Sequence, residues 1–146
     1  MAFTMKPDGL FQIANPVALL GWIILTAAIF LNRPFWRDTV AGLALPLALS
    51  AAYTTLIAIS WWSAEGGYGS LADVQRLFTS PWIALAGWVH YLAFDIFIGA
   101  WLSRQFMERA VPRLLLALVL PLTFLFGPVG FLFGQAILLS AKKEQR

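Results

Sequence analysis

The chain has no cysteine, which removes disulfides, thiol redox chemistry and cysteine-held metal centres together. Histidine is almost as scarce. One histidine and seven acidic residues are too few for a structural zinc site within one chain, so no metal and no cofactor is expected. A haem on a single histidine, or a metal shared across a dimer, would satisfy the ligand rules, but no motif points to either. Charge of both signs is also sparse: 12% of residues are charged and 60% hydrophobic, with a mean hydropathy of +0.78. A soluble domain of 146 residues cannot hide that much apolar side chain, so the class is integral membrane protein. The net charge of +3 does not indicate nucleic acid. The basic residues lie in short segments between apolar runs, where they act as topology signals and contacts to lipid headgroups.

What is present is apolar length. Four runs, at 10–31, 39–62, 82–101 and 114–139, each reach the roughly 30 Å of a hydrocarbon core at 1.5 Å per residue. They predict an all-α, multi-pass four-helix bundle forming one domain over 1–146. Pro16 lies near the start of the first run, where a missing N–H is harmless. Pro46, Pro121 and Pro128 fall inside later runs and should kink or locally unwind them. Between the second and third runs, Ser70-Leu71-Ala72-Asp73 has the form of a capping box, and Leu71, Val74 and Phe78 recur at helical spacing. A short amphipathic helix lying on the membrane surface and ending before Pro81 is expected there. Beyond the third run, 104–113 should continue the third helix and break before Pro112.

Four crossings would place Lys6, Arg76, Lys142, Lys143 and Arg146 on one face, and Arg33, Arg37, Arg104, Arg109 and Arg113 on the other. Five against five is a tie, so the positive-inside rule gives no orientation.

The chemistry concentrates in the third run. His90, the chain's one histidine, and Asp95 lie near its middle, and Tyr91 is its other ionisable group. Placing an aspartate at that depth costs roughly 2.5–3.5 kcal/mol on insertion scales unless it is protonated, hydrogen-bonded or wetted. Asp95 shares a helix face with Tyr91, Trp88 and Gly99, whereas His90 is rotated by roughly 140° from it, so the two do not form a dyad within the helix. Asp95 would act as a proton donor or acceptor in a dry pocket, or else only fix the helices through a hydrogen bond. Ser50, Tyr53, Thr54 and Thr123 are its candidate partners by depth, and Asn15 and Gln135 should belong together at the end carrying the termini. His90 can equally bond a carbonyl or hydroxyl across helices. Trp88 and Tyr91 could flank a flat apolar ligand. In the fourth run, Phe126-Gly127-Pro128-Val129-Gly130 either opens a groove for an elongated apolar substrate, as broken helices do in transporters, or is a proline kink with glycines for close packing.

Two segments, His90 to Gly99 with Trp101 and Leu122 to Gly130, resemble the abscisic-acid-deficient-four family, as does Ala18-Leu19-Leu20-Gly21-Trp22. Plant members are associated with making neoxanthin from violaxanthin. The resemblance therefore implies a carotenoid-like lipid as partner and, as activity, opening of an epoxide with loss of a ring-side proton to give an allene. It implies Asp95 as the acid, with His90 or a water it holds as the base, beside Tyr91. Trp88, Gly99, Thr123, Gly127 and Pro128 would then line the substrate. The chain departs from the family pattern at Ala100, where an arginine is common, at Arg113, where a histidine is common, and at Phe133, where a tyrosine is common. With no transit peptide ahead of the first run, the bacterial inner (plasma) membrane is the expected location. Two further readings stand beside this one: a non-enzymatic membrane subunit of a larger complex, and a proton-linked transporter that would need to act as a homodimer.

Overall fold

The computed structural model describes residues 6–144, with side chains as far as Ala141, and among these residues there are helices and turns but no strands. Arg146 and the side chains of Lys142 and Lys143, which enter the charge tally, lie outside the described residues. Helix α1 (Pro7–Phe30) opens on proline and closes through Asn32, which takes the left-handed conformation (φ 54°) that asparagine tolerates. The Arg33 N–H then donates back to the Ala28 carbonyl at 2.8 Å. The second apolar helix begins as a π-helical stretch, Phe35–Ala44, and continues as α2 (Leu45–Ser60). The wide winding ends just before Pro46, so the proline enters the first turn of α2, where its missing N–H costs little.

The expected short helix is present as α3 (Leu71–Leu77). The Asp73 N–H donates to the Ser70 hydroxyl oxygen at 3.1 Å, and that hydroxyl donates to the Asp73 carboxylate at 2.7 Å. Phe78, just past its end, packs over Gly87 of the next helix, while Leu71 stays exposed. Helix α4 (Pro81–Glu108) runs on past the third apolar run, as expected, and is the hub. Of its apolar span 56% is buried, against 33% for α1, 22% for the second helix and 33% for the last, and it touches α1, α2 and the final helix.

The last helix, α5 (Leu116–Glu144), is long and apolar enough to cross a membrane, as are three others. It is not one rod. At Phe126 the backbone leaves helical geometry (φ −144°, ψ 56°) and the chain folds back on itself. A Cβ added at Gly130 would overlap the backbone of Thr123, and one at Gly134 would lie 3.2 Å from a Val119 methyl. Those pairs are 7 and 15 residues apart, which in a straight helix means about 10 and 22 Å. The two halves, 116–125 and 127–144, therefore form an antiparallel helical hairpin. The expected local unwinding of the fourth run is present at Phe126, but there it reverses the chain, so the expectation of one continuous span over 114–139 is corrected. The physical cause of the reversal is local: Gly127 relieves the clash before a proline, Pro128 sits in the first turn of the return half, Gly130 lets the two halves touch at the Thr123 backbone, and Gly134 makes room for the Val119 and Leu102 side chains.

The hairpin also moves Gln135. It lies on the return half, one residue past Gly134, which packs against Leu102 towards the far end of α4. Asn15 bonds Trp88 near the other end of the molecule, so the expected pairing of Asn15 with Gln135 does not form.

Candidate groove and the turn beneath it

A groove runs between α1 and the outgoing half of α5, with Trp88, Tyr91 and Leu92 of α4 at one end. Two adjoining cavities of about 590 and 520 Å³ fill it, sharing Leu19 and Phe124. On α1 the lining runs from Asn15 to Phe30, about 22 Å at helical rise. Walls of Trp22, Ile23, Leu116 and Leu120 make most of it apolar. Polar groups gather at one end. There the Trp88 indole N–H donates to Asn15 Oδ1 at 2.6 Å, and the Trp88 and Tyr91 rings stack with centroids 5.6 Å apart. Tyr91 is the one ionisable side chain among the residues lining either cavity.

Tyr91 also joins the groove to the turn of α5. Its hydroxyl donates to the Leu125 carbonyl at 2.7 Å, meeting an acceptor that the break at Phe126 deprives of its helical partner. The same hydroxyl lies beside the Asp95 carboxyl and the Gly127 amide. Asp95 is 5% exposed and packs directly on Gly127, where a methyl group would overlap its Oδ1, while Oδ2 has no hydrogen-bond partner among the described residues. A carboxyl at this position faces the first turn of the return half, the positive end of that helix dipole. The arrangement is layered: groove, then Tyr91, then Asp95, then the turn.

The residues singled out from sequence separate accordingly. Trp88 and Tyr91 line the groove, and Asp95 and Gly127 lie immediately behind Tyr91. Gly99 acts one layer down, its bare Cα accepting the Trp22 ring, which in turn meets Phe124 edge-on at 5.6 Å. Thr123 is fully buried inside the hairpin, its hydroxyl donating to the Val119 carbonyl at 2.8 Å. Pro128 is exposed outside the groove. His90 is not brought to the site. It is exposed, stacked on Phe94 at 4.7 Å and edge-on to Tyr53 at 5.3 Å, on the side of α4 that faces α2. The candidate partners on α2 do not reach Asp95 either: Thr54 donates to the Ser50 carbonyl of its own helix. Asn15 is the groove residue the sequence argument misassigned. Equal depth was the available signal, since it lies eight residues into α1 and Trp88 seven residues into α4 from the same end.

A family model described as ABA DEFICIENT 4-like matches residues 9–133, which takes in α1, α2, α4, the groove and the turn. The chain belongs to that family. No curated protein and no solved structure matches it. The family match ends at Phe133, so most of the return half of α5 lies beyond it.

Proposed function

We propose that this is an integral membrane protein that binds an elongated, carotenoid-like lipid in the groove between α1 and α5, with a polar ring end held at Asn15, Trp88 and Tyr91. The observation that carries this reading is the groove's polarity: some 22 Å of largely apolar wall, interrupted by Thr26, with the Asn15–Trp88 hydrogen bond and the ionisable Tyr91 together at one end. A second groove, of about 500 Å³ between α1 and α2, has Thr55 and the Trp82 indole as its polar side chains, no ionisable group, and suits ordinary acyl chains.

Family membership supports chemistry on an epoxy-carotenoid, and the layered site supplies one actor for it. Tyr91 would give its proton to the epoxide oxygen as the C–O bond breaks, and the resulting phenolate would take the proton from the neighbouring ring-side carbon as the allene forms. The step is an isomerisation: the proton lent is returned and nothing is oxidised or reduced. Asp95 would act through Tyr91 by holding its hydroxyl. His90 has no part in this version, since it points away from the groove, and the same placement leaves a proton pathway through His90 and Asp95 without support.

Expression in a carotenoid-producing bacterium tests the reading. The detergent-purified protein should carry a visible absorption spectrum, and Leu19→Trp, which fills the point both cavities share, should lose it while eluting as the wild type does. A colourless wild-type preparation overturns the proposal in favour of a non-enzymatic membrane subunit.

A further inference from the structure

We infer that the chain crosses the membrane three times and sends its last apolar segment only halfway in and back out, so that its C-terminal end joins the α1–α2 and α4–α5 connections in one basic face on the anionic headgroups of the cytoplasmic leaflet. Asp95 fixes the depth. It lies 14 residues from Pro81 and 13 from Glu108, about 20 Å from either end of α4. The turn of α5 packs on it through Gly127, so that turn is at mid-depth. From there the return half follows α4 in the same direction: Gly127 at Asp95, Phe131 against Trp101 with ring centroids 6.0 Å apart, and Gly134 on Leu102. It leaves by the end through which the outgoing half entered.

Non-helical backbone at such depth is tolerated only where protein groups satisfy it. Tyr91 donates to the Leu125 carbonyl and Asp95 faces the first turn of the return half, so both strands of the turn have polar company. Half-helix ends aimed at a polar group near the midplane are how membrane proteins accommodate discontinuous helices.

The charge distribution then changes sense. With four crossings the basic residues tie. With the hairpin, Lys142 and Lys143 move to the end that already carries the five arginines of the two connections, and Lys6 and Arg76 remain opposite. Seven against two, among the described residues, is a strong positive-inside signal for that end. Such a face also matches the negative potential of the cytoplasmic leaflet, worth about 1 kcal/mol per basic residue near the surface. Arg33 reinforces the match. It sits with Trp36 over a cleft of about 400 Å³, a cation and an indole at headgroup level.

The absence of native cysteine makes the test clean. Single substitutions Glu65→Cys, Glu108→Cys and Glu144→Cys are expressed in a bacterium, and spheroplasts are treated with a membrane-impermeant maleimide before and after permeabilisation. Glu65→Cys should label in intact spheroplasts, and the other two only after permeabilisation, with protection of at least tenfold. Glu144→Cys labelling together with Glu65→Cys overturns the half-depth hairpin. Glu108→Cys and Glu144→Cys labelling in intact spheroplasts while Glu65→Cys is protected overturns the cytoplasmic assignment. Gel-filtration elution matching the wild type certifies each variant.

Discussion

The contact between Asp95 and Gly127 shows how a single missing methyl sets this site. The glycine lets a carboxyl reach the backbone of the turn, and any larger residue forces it out. Gly127→Ala should therefore destabilise the protein by about 1–3 kcal/mol, the usual cost of overpacking, read from unfolding in mixed micelles. Asp95→Ala removes the atoms the new methyl would strike. The double variant should accordingly be more stable than the sum of the single effects predicts, with a coupling of order 1 kcal/mol. Additive effects would mean that the two residues do not touch. Tyr91→Phe makes a different cut, because it leaves the ring stacked on Trp88 but strips the Leu125 carbonyl of its donor. A loss of about 1–2 kcal/mol is expected, together with loss of any epoxide conversion and retention of bound pigment. Loss of pigment as well would shift Tyr91 from chemistry to binding.

At the scale of elements, the hairpin in α5 is where sequence and structure part. The Ser70 cap of α3 and the extension of α4 to Glu108 were legible from an N-cap with its Asp73 partner and from the helix-breaking Pro112, whereas α1 starts earlier than expected, at Pro7, which leaves Pro16 inside the helix rather than near its start. The position of the break in α5 was legible too, from Gly127-Pro128. Its direction was not. Hydropathy reports that a segment is apolar, not which way it runs, so a kinked span and two half-helices folded together give the same profile. The clue lies in spacing: Thr123 with Gly130 and Val119 with Gly134 are symmetric about the 126–127 bond, a small residue facing a partner on each turn. In the same way, helical rotation alone separated His90 from Asp95, but nothing in a single sequence told which of them would face α5. The hairpin makes its own prediction. A Cβ at Gly134 would lie 3.2 Å from a Val119 γ-methyl, so cysteines at these two positions would be direct neighbours across the hairpin. Val119→Cys with Gly134→Cys should oxidise within one chain, seen as loss of maleimide labelling that a reductant restores. In a straight helix the same two thiols would stay about 22 Å apart and remain free.

Across the whole molecule, the helices divide into one that is surrounded and others that face outward. Helix α4 buries more than half of its apolar span against protein, whereas the second helix leaves the larger part of its apolar span bare. At the end formed by the α1–α2 and α4–α5 connections, Arg113 ties the wall together, donating to the Ile29 carbonyl at 3.2 Å and to Asn32 Oδ1 at 3.0 Å, so the C-terminus of α1 and the start of α5 are joined. The Asn15–Trp88 pair and Tyr91 lie at the other end of the groove, beside the turn. Local stability should follow this plan, because regions open at free energies set by how much they bury. In lipid nanodiscs, amide exchange should be slowest along the middle of α4 and in 116–125, and fastest in α3, whose Leu71 and Phe78 are exposed. The informative segment is the turn itself. Phe126 has no regular helical geometry, yet it is flanked by the Leu125 carbonyl that Tyr91 bonds and the Gly127 backbone that Asp95 covers. If protein groups satisfy that backbone, peptides spanning 123–130 should exchange as slowly as their helical neighbours, and Tyr91→Phe should speed them selectively by about tenfold or more, the effect of roughly 1.4 kcal/mol on a local opening. Exchange in the wild type as fast as in α3 would mean that water reaches the turn, and the dry layer behind Tyr91 would not exist.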